Sequence, residues 1–521
     1  MQNKNIYIGI DLGTSSVKVI AADASGAIRA EQSESYKVSY PEKGYSEQSP
    51  ADWFKATIKA LSRLNVKNVK GIAVGGQMHG LVALDRGGNV IRPCILWNDG
   101  RAFKETVMLN SFEKLPEWTG NIAFAGFTAP KILWLKENEP ENFARTDKIM
   151  LPKDYLVYML TGEFVTDYSD ASGTLLLDVA NKRWSREMLE ICGLNENKLP
   201  KLCESYSVAG TLKKEIADKF GWMDVKVAVG AGDNAAAAAG TGTVFENDCN
   251  ISLGTSGTVF VACDKFMLPK NNALHGFCHA NGKWHLMGCI LSAASANKWW
   301  IEDILNSDYS APEKAIEKLG KNDVFFLPYL TGERCPHNDV NARGAFIGLS
   351  ADTTREEMSL AVLEGVAFAL KDCLEIGVKV NKSTVCGGGA KSALWLKILA
   401  NVLNLPLYRV ETEQGPAYGA AMLAMTACGE FDGLESASKL AVKTLAQTPE
   451  QGLVEAYAEK YKKYKKLYPL LGEWNEAAGK KARLFYVNNT QIHTAATAKQ
   501  TAIKRVLALR FILSDKAKIP A

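Results

Sequence analysis

Two segments of this chain repeat each other. Ile6 to Val19 reads I-Y-I-G-I-D-L-G-T-S-S-V-K-V, and Asn250 to Val261 reads N-I-S-L-G-T-S-G-T-V-F-V. Each is a β-rich run, then Leu-Gly-Thr-Ser, then a second β-rich run. Glycine between two strands predicts a tight hairpin. The hydroxyls and exposed N–H groups of such a turn can cradle a phosphate. Two such hairpins far apart predict two related domains that grip one nucleotide between them.

The length of 521 residues is too great for one core and predicts two large domains. We expect a first domain over 1–245, a second over 246–478 and a basic tail over 479–521. Strands mixed with helices in both halves give an α/β fold. From Lys480 to Ala521 there are nine Lys or Arg against one acid, Asp515. The tail is expected as a poorly ordered appendage without a catalytic role. The whole chain carries only +4, which does not argue for nucleic acid. Eleven scattered cysteines, among them Cys94, Cys263 and Cys289 in or beside apolar runs, read as reduced core residues. Asp11 interrupts the only apolar stretch near the start, so no signal pattern is read there. No run is apolar enough to span a bilayer. A cytoplasmic location is expected.

Ala51 to Leu64 reads as a helix, with Ser49 or Asp52 near its cap. Val69 to Val74 and Val225 to Val229 read as buried strands. Leu81 to Leu84 and Val90 to Ile95 flank the turn signal Asp85-Arg86-Gly87-Gly88-Asn89, which predicts a hairpin. Further helices are expected around Glu105–Leu109, Pro130–Asn138, Ala293–Leu305, Arg355–Leu374, Ala393–Leu403 and Ala417–Cys428.

Asp11 ends the first strand beside the phosphate turn. A carboxylate there would repel phosphate unless a cation lies between them, and Mg²⁺ is the natural one; the plain alternative is a turn aspartate. Asp233, in Gly-Ala-Gly-Asp-Asn, opens a helix of small residues. It is either an ordinary N-cap or a general base for an attacking hydroxyl. Gly387 to Ser392 is a glycine-rich strand-to-helix turn without Walker A spacing. Gln77-Met78-His79-Gly80 suits a small polyol, His79 bonding hydroxyls and Met78 covering a carbon face; alternatively His79 is a satisfied, partly buried residue. Trp97 could stack on a sugar or fill the core. His275, His279 and His285 lie in strand and turn sequence and are assigned no metal.

These segments together resemble the FGGY family of carbohydrate kinases, its xylulose-phosphorylating members most closely. The resemblance runs from about Ile6 to Leu471. It rests on Gly9–Ser15, Gly76–Gly80, Ile95–Arg101, Gly126–Lys131, Leu151–Leu156, Gly232–Ala235, Ser252–Gly257, Leu327–Arg334, Glu364–Leu370 and the Gly-Gly-Gly-Ala segment. It implies two ribonuclease-H-like domains with an actin-like ATP cleft between them. Sugar would bind mainly to the first domain and ATP mainly to the second. Asp233 would be the general base, and Asp11 would hold Mg²⁺. Gln77, Met78, His79, Trp97, Asp233 and Asn234 would form the sugar site. Gly13, Thr14, Ser15, Gly254 and Thr255 would lie at the phosphates, with Gly388, Gly389 and Ser392 near the adenosine. The implied reaction is ATP-dependent phosphorylation of D-xylulose at its 5-hydroxyl. Ribulose, gluconate or glycerol as substrate is the alternative, as is an actin-like ATPase without a sugar. A homodimer is the family-like assembly.

Overall fold

The first hairpin pairs β1 (Ile6–Leu12) with β2 (Ser16–Asp23), Leu12 opposite Val17. β1 is buried almost throughout, as a continuous apolar run in a sheet covered on both faces should be. β3 (Ile28–Ser35) is the edge, and its Glu31 and Glu34 discourage further pairing. Helix α1 (Pro50–Arg63) buries Trp53, Ala56, Ala60 and Leu61, one stripe at helical spacing. β4 (Val69–Gly76) then lies parallel to β1, followed outward by β6 (Lys226–Ala228) and β5 (Val208–Thr211). The sheet order is β5-β6-β4-β1-β2-β3, with Ala231–Gly232 adding a short seventh strand on β4. This computed structural model describes residues 4–268, 274–309, 313, 314, 316, 318–375, 378–412 and 414–472. The basic tail over 479–521 lies outside the described residues.

After helix α2 (Asp233–Gly240) the plan repeats. β7 (Asp248–Leu253) and β8 (Gly257–Cys263) form the second hairpin, Leu253 opposite Gly257. β10 (Trp284–Ile290) and β9 (His275–Cys278) extend it on one side. β11 (Lys382–Cys386) lies parallel to β7, then come β12 (Leu407–Val410) and the antiparallel β13 (Lys443–Gln447). Strand for strand, β3-β2-β1-β4-β6-β5 matches β10-β8-β7-β11-β12-β13 in pairing sense. The repeated hairpins are therefore the centres of two equivalent sheets.

Helix α3 (Arg355–Leu374) begins with a reciprocal cap between Thr354 and Glu357, and α4 (Ala393–Leu403) follows β11. A later helix of the second half, α5 (Pro416–Cys428), packs on the first sheet and crosses α2. The crossing leaves no room for side chains. A Cβ on Gly9 would fall 1.9 Å from the Ala417 carbonyl oxygen, and one on Gly419 would fall 1.8 Å from that of Ala236. Small residues let the two backbones touch.

One expectation is met with extra pairing, and one is corrected. The Asp85–Asn89 turn forms, and Leu84 bridges Val90. Leu81 also bridges Ile95 and Ile91 N–H donates to the Ala83 carbonyl at 2.9 Å, so the two flanks meet as an antiparallel hairpin whose ladder is broken between the bridges; Val82–Leu84 pairs in addition with Lys148–Met150, and Cys94–Ile95 with Glu47–Gln48. Pro93 supplies no N–H to a hairpin ladder. The helix expected over Ala293–Leu305 is α-helical only over Ala294–Lys298 and widens to a π-helix over Trp299–Ile304. There the Trp300 ring reaches inward and donates to Ser359 at 2.9 Å.

Candidate active site

Two cavities meet between the sheets. The larger, of about 520 Å³, is walled by Asn250, Ser252, Gly387, Gly388, Lys391 and Thr412, with α2 closing one side. The smaller, of about 220 Å³, is walled by Met78, His79, Trp97, Phe127, Met287 and Arg334. Asp233, Asn234 and Thr258 line both. A donor in the large cavity and an acceptor in the small one would therefore face each other at Asp233.

Asp233 is the first residue of α2, with Gly232 as N-cap, rather than the cap itself. Asn234 Nδ2 donates to its Oδ1 at 3.0 Å and reaches Met78 Sδ at 3.7 Å. Burial raises the Asp233 carboxyl to about 6. Asp11, the penultimate residue of β1, is raised to about 7 by burial and by the Asp233 charge. A buried carboxylate whose ionisation is opposed by the neighbouring Asp233 charge suits a cation beside it. Among the described residues no cluster of three or more His, Cys, Asp or Glu forms a closed metal site. A divalent ion at Asp11 would thus draw its other ligands from phosphate and water, as Mg²⁺ does.

The segment leading to Asp233 is tied down beneath the cleft. Gly232 N–H donates to Ser169 Oγ at 3.1 Å, and Ser169 Oγ donates to Asp167. Buried Lys153 pairs with Asp154 at 2.7 Å and Asp167 at 3.1 Å and donates to the Val229 carbonyl at 3.3 Å.

His79 adopts a left-handed backbone, φ 70°, seldom used by residues with a side chain. Its carbonyl accepts from Thr128 Oγ1 and Lys131 Nζ, both at 3.0 Å. Lys131 also donates to the Gly126 carbonyl at 2.7 Å, and burial lowers its ammonium to about 7. Burial likewise lowers His79 to about 3, so the ring is neutral. Because Nδ1 faces the Gly173 carbonyl at 2.7 Å, the proton sits on Nδ1. Nε2 remains an acceptor for a substrate hydroxyl.

The other expected residues divide. Met78, His79, Trp97, Asp233 and Asn234 come together at the small cavity. Gln77 does not: its Oε1 accepts from Thr14 at 3.1 Å and its Nε2 donates to Gln48 at 3.1 Å, behind the wall. The Thr14 hydroxyl also accepts from Trp97 Nε1 at 3.0 Å, so it is committed to the sugar-side wall. The N–H groups of Thr14, Ser15, Thr255 and Ser256, at the two hairpin tips, have no acceptor among the described residues. Gly13 and Gly254 shape those tips, Gly13 N–H closing on the Ser16 carbonyl at 3.1 Å. Gly388 opens on the large cavity, with nothing within 4 Å of a Cβ placed there. Gly389 instead packs on Trp395, and Ser392 caps α4 and donates to Glu313 at 2.9 Å.

Sequence reading missed the contribution of the second half to the small cavity: Ser256, Thr258, His275, Met287, Cys289 and Arg334. Cys289, expected in the core, stands at the cavity wall. The Leu327–Arg334 motif was the available signal for Arg334.

Residues 6–240 match the N-terminal domain of the FGGY family of carbohydrate kinases, and residues 249–428 match its C-terminal domain. The chain belongs to the FGGY carbohydrate kinases. Membership carries use of ATP as the phosphoryl donor. A xylulose kinase from Escherichia coli (strain K12) is 42% identical over 482 residues, covering 89% of this chain and 99% of the relative. A structure described as a xyloylose kinase from Brucella ovis superimposes with a TM-score of 0.86 at 42% identity, covering 90% of this chain and 100% of that one. A gluconate kinase from Lactobacillus acidophilus also gives a TM-score of 0.86, at 26% identity, covering 92% and 99%. The two-sheet actin-like FGGY architecture thus agrees with the fold read from the repeated hairpins. Among the described residues no helix is long and apolar enough to cross a membrane.

Proposed function

We propose that this FGGY kinase transfers the γ-phosphoryl group of ATP to the 5-hydroxyl of D-xylulose, giving D-xylulose 5-phosphate and ADP. The junction of the two cavities at Asp233 carries the mechanism. The likeness to xylulose kinases over nearly their whole length supports the choice of sugar.

ATP would occupy the large cavity, its base against the open face of Gly388 and its phosphates toward the free N–H groups of the hairpin tips. The sugar would occupy the small cavity, Met78 against its carbons and His79 Nε2 accepting from a hydroxyl. Asp233 takes the proton of the 5-hydroxyl as that oxygen attacks phosphorus in line. Its raised carboxyl suits a base that works near neutrality. Asp11 would hold Mg²⁺, which supplies positive charge against the phosphates. Gln77 supports the site through Thr14 and Gln48 rather than by touching sugar. We read the two domains as 1–245 and 246–478, a division consistent with the two sheets, and α5 packs on the first of these sheets. Use of ATP as donor supports a cytoplasmic location.

The gluconate kinase shares the fold equally well, so fold does not select the sugar. ADP release with Mg-ATP is the test, comparing no sugar, D-xylulose, D-ribulose, gluconate and glycerol. Strong stimulation by D-xylulose is expected. Stimulation only by another sugar overturns the substrate, and release indifferent to every sugar overturns the transfer reaction.

A further inference from the structure

Two side chains of opposite charge line the small cavity: Asp233, and Arg334 from the second half of the chain. Its backbone is fixed to the end of β10: Cys335 N–H donates to the Cys289 carbonyl at 3.1 Å, and Glu333 Oε1 accepts from Leu291 N–H at 2.9 Å. From there the guanidinium lies 5.4 Å from the ring centre of Phe124, a cavity residue that belongs to the first half. Among the described residues it makes no ion pair and no side-chain hydrogen bond.

The surroundings leave that charge uncompensated. Burial keeps His79 and His275 neutral, and the Arg334 charge adds to both effects. Burial also raises the adjacent Glu333 carboxyl to about 8. The guanidinium lies over Phe124, whereas Asp233 stands at the head of α2 beside Asn234 and Met78. A half-buried guanidinium with donors to spare is completed by a ligand that brings oxygen acceptors.

We propose that Arg334 is a specificity-determining residue that binds the oxygens at the end of the sugar opposite the transferred phosphoryl group. Resting on the ketose reading above, this puts the C1 and C2 oxygens of the open-chain sugar on the guanidinium and the 5-hydroxyl on Asp233. The same geometry makes the pocket accept an aldonate, whose C1 carboxylate forms the stronger, two-pronged pair. The sugar then touches both halves of the molecule and is gripped along its length.

The test uses D-xylonate as a charge-selective probe beside D-xylulose, with the full chain and the variants Arg334→Met and Arg334→Lys. Binding of D-xylonate is read by calorimetry without turnover, and its inhibition constant is measured against D-xylulose. The wild type should bind D-xylonate competitively with D-xylulose. Arg334→Met should weaken D-xylonate by roughly tenfold more than it raises KM for D-xylulose. Arg334→Lys should fall between and carries the comparison if the methionine variant does not fold, as judged by its melting curve. Equal changes for both ligands, no change for either, or failure of the wild type to bind D-xylonate would overturn the assignment. D-Xylonate binding that depends on Arg334, in an enzyme that leaves D-xylulose unphosphorylated, would instead keep Arg334 and sink the ketose reading.

Discussion

The Nδ1 atom of His79 lies 2.7 Å from the carbonyl oxygen of Gly173. That single bond fixes the imidazole tautomer and leaves Nε2 free toward the sugar cavity. The ring also stacks on Phe127, with centroids 4.6 Å apart. A Cβ on Gly173 would stand 2.5 Å from Nδ1, so Gly173→Ala must push the ring away. We expect this variant to raise KM for the sugar roughly 10- to 100-fold, since displacements of about 1 Å have such effects. Nucleotide affinity should stay the same, because the large cavity does not include His79. Sugar saturation curves beside calorimetry with Mg-ADP check it. Equal losses for sugar and nucleotide would mean that Gly173 supports the fold rather than the ring.

Asp233 should dominate the chemistry. Asp233→Asn keeps the shape and the Asn234 neighbour but removes the base, and kcat should fall by about 10²- to 10⁴-fold. The pH profile supplies an independent reading. A base must be deprotonated, so activity should fall as the pH drops through about 6, the value to which burial raises this carboxyl. Bound Mg²⁺ would move that limb somewhat lower by favouring the carboxylate. His79, held near 3 by burial, should add no limb at neutral pH. A profile flat down to pH 4 with full activity would remove Asp233 as the base.

The same shift has a consequence for stability. A carboxyl whose folded pKa is raised binds its proton more tightly in the folded state. Ionisation therefore costs stability as pH rises from the unfolded value near 4 to the folded value of about 6, and the loss persists above that. Asp233→Asn removes this cost. We expect the variant to melt a few degrees above the wild type at pH 8, with the gap closing toward pH 4.5. Melting curves at the two pH values, without nucleotide or metal, decide it; a gap that does not change with pH would assign the stabilisation to some other cause.

What the sequence revealed follows the range of the forces involved. Local pattern was sufficient for the hairpins and for α3, whose Thr354 and Glu357 cap marks its start. It was sufficient to bring Asp233, Met78 and His79 to the cavity, because each lies where a buried strand ends. Gln77 was misplaced because a polar side chain at a strand end gives no sign of which way it faces; it turns inward to Gln48 and Thr14. Arg334 sits in irregular chain and reaches its cavity only through tertiary contacts with β10 and Phe124. The seating of α5 on the first sheet likewise depends on Gly9 and Ala417 meeting across most of the chain.

Two glycines separate a binding surface from a structural crossing. At Gly419 a Cβ would stand 1.8 Å from the Ala236 carbonyl oxygen, on the helix that presents Asp233. Neither backbone can yield without separating α2 from α5. Gly419→Ala should cost about 3 kcal/mol, the upper range for overpacking a close contact, and lower the melting temperature by roughly 5–10 °C. At Gly388 a Cβ would meet nothing within 4 Å and would project into the large cavity. Gly388→Ala should leave the melting temperature unchanged and raise KM for ATP several-fold without altering KM for the sugar. If Gly388→Ala instead left ATP binding untouched, the nucleotide would have to sit elsewhere in the cavity. If Gly419→Ala melted like the wild type, the α2–α5 crossing would be able to open, and Asp233 would ride on a looser joint than its packing implies.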